Sequence, residues 1–126
     1  MSRKKRVLCV DDNTDTCALV AETLKGWRVA TEYCSSEGLR RATAEDFDLI
    51  LLDYHLPDGT GLELCRQIRL FDVSTPILMF TVTHSIEHDA VLAAGGQGVI
   101  RKDHLTQVLP VAIANALELR FTARPH

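Results

Sequence analysis

The sequence lacks both a long apolar run and an excess of basic charge. Its basic start, Arg3-Lys4-Lys5-Arg6, is followed by only four apolar residues before Asp11, too few for the core of a signal peptide. Nothing approaches the ~20 apolar residues of a membrane-spanning helix. With a net charge of −3, the chain has no excess of positive charge for binding nucleic acid. We interpret the short basic run as a solvent-exposed segment that precedes the first strand. These absences predict a cytoplasmic protein with neither a membrane nor a nucleic acid as partner.

No close pairing motif joins the four cysteines. Cys9 lies in a predicted strand, and Cys17 and Cys65 lie in helical patterns, so we expect buried reduced thiols rather than disulfides or metal ligands. Repeats, linkers and low-complexity segments are also absent from the sequence. A chain of 126 residues is long enough for one hydrophobic core and too short for two. We therefore expect a single domain over residues 1–126.

Short apolar runs alternate with helical patterns five times. Such runs are typical of strands in a parallel sheet that is buried on both faces. The predicted strands are residues 6–10, 28–33, 49–53, 76–81 and 98–101. The first predicted helix is capped by Thr14 or Asp15 and ends at Gly26, and the second is capped by Ser35 or Ser36 and ends at Ala44. Three more are predicted over residues 62–70, from about 86 to 94 and from about 105 to 119. Leu19, Leu70 and Val108 lie on predicted apolar faces, and Pro110 lies inside the last helix. Right-handed crossovers then give a doubly wound α/β fold.

Polar residues follow the apolar runs where the predicted strands end. They are Asp11, Asp12, Asp53, Thr81 and Lys102. Because parallel strands end at the same edge of a sheet, and ligands bind in the crevice there, we expect these side chains to meet in one cleft. Three clustered carboxylates repel one another unless a cation joins them. Carboxylate oxygens without converging His or Cys favour a hard cation, of which Mg²⁺ is the most plausible.

Four segments together resemble the receiver domain of two-component response regulators. They are residues 7–13 (VLCVDDN), 51–61 (LLDYHLPDGTG), 76–81 (PILMFT) and 100–102 (IRK). The resemblance extends from about residue 6 to about residue 119, which we take as the core of the domain. It implies a flavodoxin-like sheet with strand order 2-1-3-4-5. The chain ends a few residues after the last predicted helix, so we expect no effector domain within it: it is either a stand-alone regulator or one domain of a longer protein.

The resemblance assigns a role to each polar residue of the cleft. Asp53 is expected to accept a phosphoryl group from a phosphohistidine donor, while Thr81 and Lys102 contact the phosphoryl oxygens. Mg²⁺ is expected to bind Asp12, Asp53 and the backbone carbonyl of His55, with Asp11 holding a coordinated water. The chain would then be a phosphoacceptor with self-catalysed phosphotransfer and autodephosphorylation rather than a conventional enzyme.

The resemblance also implies partners. The phosphoryl donor would be a sensor histidine kinase or a histidine phosphotransfer protein that docks near helix 1. A downstream protein would bind the face formed by helix 4, strand 5 and helix 5. The kinase, the output and the oligomeric state are not encoded in any pattern of this sequence.

Four positions depart from the pattern of most receivers. Val99 replaces an aromatic residue, so switching cannot depend on an aromatic side chain there. Val82 replaces Ala or Gly, and its extra methyl groups predict slow phosphorylation by small donors. Asp103 replaces a proline that follows a cis bond, so we expect a trans bond after Lys102 and an Asp103 side chain that caps the last helix. His55 stands where its side chain borders the phosphate.

Other functions were weighed against the receiver. A pseudo-receiver, an interaction module that works without phosphorylation, is the main alternative. The segment from His84 through Glu87 to His88 matches a zinc protease signature, but such a site needs a further acidic ligand downstream, and Glu118 is the only Glu left there. A haloacid-dehalogenase-like phosphatase would carry Asp-x-Asp at its nucleophile, whereas Asp53 is followed by Tyr54 and His55. An FMN-binding flavodoxin would carry Ser and Thr in its phosphate loop, where this chain has Asp11 and Asp12.

Overall fold

The computed structural model describes residues 3–82 and 88–123. Its strands are β1 (Arg6–Val10), β2 (Arg28–Glu32), β3 (Leu49–Asp53), β4 (Ile77–Thr81) and β5 (Gly98–Arg101). Its helices are α1 (Thr14–Thr23), α2 (Ser35–Ala44), α3 (Gly61–Arg69), α4 (His88–Ala94) and α5 (Leu105–Ala123). A short hairpin between β3 and α3 pairs His55–Leu56 with Gly59–Thr60, and Lys102–His104 forms one 3₁₀ turn before α5.

The five strands form one parallel sheet in the order β2-β1-β3-β4-β5, which confirms the predicted 2-1-3-4-5 arrangement. The bounds of β1, β3 and β5 match the prediction, while β2 and β4 are each one residue shorter. Every residue of β3 and β4 is buried, because helices cover both faces of the sheet.

Side chains of the central strands alternate between two apolar cores, as the period of two in a strand requires. Val7 and Cys9 belong to the core beneath α1 and α5. Leu8 and Val10 belong to the core beneath α2, α3 and α4. Cys9, Cys17 and Cys65 are free buried thiols and Cys34 is free and half-buried, so the expectation of reduced cysteines is confirmed.

The predicted N-caps of two helices are wrong. Asn13 caps α1, because its side-chain oxygen accepts hydrogen bonds from the backbone N–H groups of Asp15 and Thr16 at 2.9 and 3.3 Å. Thr14 is the first helical residue, and α1 ends at Thr23 rather than at Gly26. In α2 the cap position belongs to Cys34, whose side chain makes no capping bond.

Three leucine and valine side chains predicted on apolar helix faces are exposed. Leu19 is 39% exposed and Val108 is 40% exposed, whereas Leu70 is 87% exposed because it follows the last residue of α3. The apolar residues of these helices therefore occupy a wider face than the stripe that packs against the sheet.

The last helix differs from prediction at its start. Asp103 lies in the 3₁₀ turn, and its carboxylate accepts a hydrogen bond from Nη2 of Arg101 at 2.6 Å, so it does not cap α5. No cis peptide bond occurs among the described residues, which confirms the predicted trans bond after Lys102. The helix continues through Pro110. The predicted start of helix 4, near residue 86, lies outside the described residues.

Candidate functional site

The sheet brings the predicted site residues to one edge. Asp11 and Asp12 follow β1, Asp53 ends β3, Thr81 ends β4 and Lys102 follows β5. Because β1, β3, β4 and β5 are neighbouring parallel strands, their C-terminal ends lie side by side. The crevice predicted from strand ends is therefore present in the structure.

Carboxylates and one ammonium lie in direct contact in this crevice. Nζ of Lys102 is 2.8 Å from Oδ2 of Asp11 and 3.3 Å from Oδ1 of Asp53. Asp11, Asp12 and Asp53 each place one oxygen within 4.8 Å of the others. Asp11 and Asp53 are buried, whereas Asp12 is exposed. The cluster thus opens to solvent on the side of Asp12.

The segment that carries the first two carboxylates is held by short-range bonds. The backbone N–H of Asn13 donates to Oδ1 of Asp11 at 2.9 Å, and Asn13 in turn caps α1. The thiol of Cys17 donates to the backbone carbonyl of Asp11 at 3.4 Å. The start of α1 is therefore tied to the site. Asn13 was not predicted to take part, although an Asn directly before an apolar helical pattern is a usual N-cap signal.

The main chain around Asp53 is packed against the start of α3. The N–H of Gly61 donates to the carbonyl of Tyr54 at 2.7 Å, and the N–H of Tyr54 donates to the carbonyl of Phe80 at 3.0 Å. A Cβ atom at Gly61 would collide with the backbone carbonyl of Asp53 and with Sδ of Met79. Only glycine permits this close approach, which holds the loop after Asp53 in place.

As far as the structure describes the chain, the crevice holds three carboxylates but only one ammonium, that of Lys102. Burial and the neighbouring charge of Asp11 raise the pKa of Asp53 to about 6, and Lys102 opposes this rise only in part. Burial by itself would lower the pKa of Lys102, but its contacts with Asp11 and Asp53 outweigh burial and raise that pKa. One ammonium therefore does not neutralise the three carboxylates.

The donor atoms of the cluster fit a hard divalent cation. All are carboxylate oxygens, and the crevice is short of positive charge, so Mg²⁺ matches both the chemistry and the electrostatics. Among the described residues this is the only group of three or more potential metal ligands. His88 is the first residue of α4 and belongs to no such group, while His84 and Glu87 of the protease signature lie outside the described part of the chain.

The other residues singled out in the sequence differ in burial. Thr81 is buried, and Val82 beyond it is 68% exposed. The side chain of His55 is exposed and stands edge-on to Tyr54, with 4.8 Å between ring centroids. Val99 is half-buried and packs against the core beneath α2, α3 and α4. The site roles predicted for Asp11, Asp12, Asp53, Thr81, Lys102 and the His55 carbonyl all stay predictions.

A cavity of about 580 Å³ opens at the opposite edge of the sheet. Its lining includes Arg3 before β1, Asp46 and Asp48 before β3 and Asp72 before β4. None of the predicted site residues contributes to its lining. The polar residues predicted from the strand ends lie instead at the C-terminal edge of the sheet.

Helices long and apolar enough to cross a bilayer were not found in the described part of the chain.

Comparison with known sequences identifies relatives over most of the chain. A family model described as the response regulator receiver domain matches residues 7–114. The cell cycle transcriptional regulator CtrA of Caulobacter vibrioides is 34% identical over 93 residues, which are 72% of this chain and 40% of that protein. The alkaline phosphatase synthesis transcriptional regulatory protein PhoP of Bacillus subtilis is 39% identical over 90 residues, 70% of this chain and 37% of that protein. The chain thus spans about two-fifths of the length of these relatives.

Solved structures agree with the sequence matches. A CheY-like response regulator receiver domain protein from Methanospirillum hungatei JF-1 superposes with a TM-score of 0.88 at 29% identity, covering 97% of this chain and 100% of that one. A putative response regulator from Chloroflexus aurantiacus J-10-fl superposes with a TM-score of 0.85 at 26% identity, covering 92% and 99% of the two chains.

Proposed function

Because the chain belongs to the response regulator receiver domain family, we propose that it accepts a phosphoryl group on Asp53 from a phosphohistidine donor in a Mg²⁺-dependent reaction. One observation carries the proposal. The Asp53 carboxylate ends a fully buried strand, faces the crevice with Asp11 and Asp12, and lies 3.3 Å from the ammonium of Lys102. A nucleophile, a cation site and a fixed positive charge are thus next to one another.

In the proposed reaction an oxygen of Asp53 attacks phosphorus, and the bond between phosphorus and the donor imidazole nitrogen breaks. With a pKa of about 6, Asp53 is largely ionised at neutral pH and needs no separate base. Lys102 stabilises negative charge on the phosphoryl oxygens, and the hydroxyl of Thr81 donates a hydrogen bond to one of them. Bound Mg²⁺, held by Asp12, Asp53 and the backbone carbonyl of His55 and through a water on Asp11, would supply further positive charge for the same oxygens.

Response regulators of two-component systems interact with kinases and with downstream effectors, and the relatives of this chain are transcriptional regulators. For this chain we propose a sensor histidine kinase or histidine phosphotransfer protein as donor, docking near α1. The downstream protein would bind the face formed by α4, β5 and α5. The single domain over residues 1–126, the cytoplasmic location and the absence of a nucleic-acid partner belong to the same proposal.

Mass spectrometry of the intact protein tests the phosphoacceptor. We expect wild type, incubated with Mg²⁺ and either a small acyl phosphate or a phosphorylated histidine kinase, to gain one phosphoryl mass. Asp53→Asn should gain none, and Asp46→Asn, an exposed carboxylate at the opposite edge, should gain the same mass as wild type. Absence of label with both donors would instead favour an interaction module that works without phosphorylation. Label that persists in Asp53→Asn would show that another residue is the acceptor.

Replacement of Val82 by alanine is expected to speed phosphorylation by small acyl phosphates several-fold. The side chain of Val82 follows Thr81 directly and is 68% exposed, so it narrows the approach to the crevice without contributing to the core. Val111→Ala is the matched control, because Val111 is 62% exposed on α5. Rate constants for labelling measure the effect, and equal rates for wild type and Val82→Ala would contradict it.

A further inference from the structure

Asp58 bonds to a helix that lies far from it in the sequence. Its Oδ1 accepts a hydrogen bond from the backbone N–H of Ser35 at 2.6 Å, and its Oδ2 accepts one from the N–H of Ser36 at 3.0 Å. The same two bonds lower the pKa of Asp58, so the carboxylate is ionised at neutral pH. Since Cys34 provides no side-chain cap, the first turn of α2 is capped by a residue from the loop after β3.

The loop that carries Asp58 is the hairpin between the proposed phosphoacceptor and α3. Its base is fixed by the bonds of Tyr54 and Gly61 described above, and its Leu56 side chain is buried. The turn at its tip, formed by Pro57, Asp58 and Gly59, is exposed. The two bonds from Asp58 therefore attach the exposed tip to the body of the domain.

This attachment bears on the metal site because His55 lies in the same hairpin. Leu56 pairs with Gly59 and His55 with Thr60, so the strand that carries the His55 carbonyl is joined directly to the strand beyond Asp58. A tip released from α2 would loosen the main chain at His55. A divalent cation would then have to order this segment on binding, which costs conformational entropy.

We infer that Asp58 is a positioning residue that holds the hairpin after Asp53 against α2 and thereby preorganises the His55 main chain for the cation. This inference rests on the metal site of the proposed function. Outer partners that hold metal-binding groups in place typically affect metal affinity by about 10–100-fold. The attachment also links the first turn of α2 to the cation site.

Calorimetric titration with Mg²⁺ alone tests the inference. We expect Asp58→Ala to bind Mg²⁺ about tenfold more weakly than wild type, and Asp58→Asn to be intermediate because its amide oxygen keeps one acceptor. Asp72→Ala is the matched control: Asp72 also accepts bonds from two backbone N–H groups, those of Ser74 and Thr75 at 3.1 and 3.0 Å, but it lies at the opposite edge. Asp72→Ala should bind Mg²⁺ as wild type does.

Phosphorylation rates separate positioning from a general loss of folded protein. For Asp58→Ala we expect a low rate at limiting Mg²⁺ that returns to the wild-type rate at saturating Mg²⁺. Unchanged Mg²⁺ affinity, an equal loss in Asp72→Ala, or a rate that saturating Mg²⁺ does not restore would overturn the inference. A wild type that binds Mg²⁺ but takes no label would contradict the proposed function, while the affinities of the variants would still decide the role of Asp58.

Discussion

Lys102→Met is expected to lower the free energy of unfolding of the Mg²⁺-free protein by about 3–5 kcal/mol, the usual cost of removing one partner of a buried ion pair. The side chain of Lys102 is 13% exposed, and its ammonium contacts Asp11 and Asp53, whose side chains are 0% and 9% exposed. Methionine keeps most of the volume of the side chain but leaves two buried carboxylates without a positive charge. The unfolded chain suffers no such penalty, because there the carboxylates are in water.

Mg²⁺ should reverse most of this loss. The cation binds the folded state and supplies the positive charge that Lys102 no longer provides, so we expect it to stabilise Lys102→Met more than it stabilises wild type. At the same time the phosphoryl group should transfer more slowly, because Lys102 no longer neutralises the phosphoryl oxygens.

Urea denaturation with and without Mg²⁺ measures both effects. Lys25→Met is the control, because Lys25 pairs with Glu22 at 3.1 Å on the surface, where both side chains are more than two-thirds exposed. Lys25→Met should lower the free energy of unfolding by less than about 1 kcal/mol, independently of Mg²⁺. Equal losses in the two variants would show that the contact between Lys102 and the carboxylates contributes nothing beyond a surface ion pair.

In the Mg²⁺-free protein, Asp53 is expected to make stability fall as pH rises from about 4 to about 6. The pKa of Asp53 is 3.8 without perturbation and about 6 in the folded protein, so the folded state keeps its proton to higher pH than the unfolded state does. Stability therefore decreases with pH across this interval and is level above it. The difference between the two pKa values of Asp53 corresponds to a change on the order of 3 kcal/mol in the free energy of unfolding.

Comparison of wild type with Asp53→Asn isolates this contribution. Relative to wild type, the asparagine variant should become more stable by on the order of 3 kcal/mol between pH 4 and pH 7, and the gain should shrink when Mg²⁺ is present. Asp72→Asn provides a control in which the pH dependence of stability has the opposite sign. Burial alone would raise the pKa of Asp72, but hydrogen bonds from Thr75 and Ser74 lower it. The contribution of Asp72 to the free energy of unfolding is therefore lost as pH falls. A pH-independent difference between wild type and Asp53→Asn would refute the raised pKa.

The local pattern of the sequence was sufficient to predict the strands and the cluster of site residues. Residues 49–53 are four apolar residues followed by Asp53, and such a run, alternating with helical patterns, is typical of a strand in the middle of a parallel sheet buried on both faces. The position of Asp53 at the edge of the sheet follows from that alone. The assignment of a metal and a phosphoryl group also required the resemblance to receivers, because carboxylates at strand ends bind many ligands.

Helix ends were predicted less well, because several depend on residues that are distant in sequence. Asn13 could have been recognised as the cap of α1 from its place before Thr14. No local signal shows that Asp58 caps α2, since this bond exists only once the sheet has placed the two loops together. The exposure of Leu70 has the same origin: apolar character does not reveal where the sheet stops covering a helix.

Local pattern specifies which segments form strands and which residues stand at their ends, because the period of apolar residues is a property of neighbours along the chain. Three further properties arise only in the folded protein. Lys102 contacts both Asp11 and Asp53, the pKa of Asp53 is about 6, and Asp58 attaches the loop after Asp53 to α2. These properties depend on distances and burial between segments up to ninety-one residues apart. Such distances are set by the packing of the whole sheet, so no local pattern can encode them.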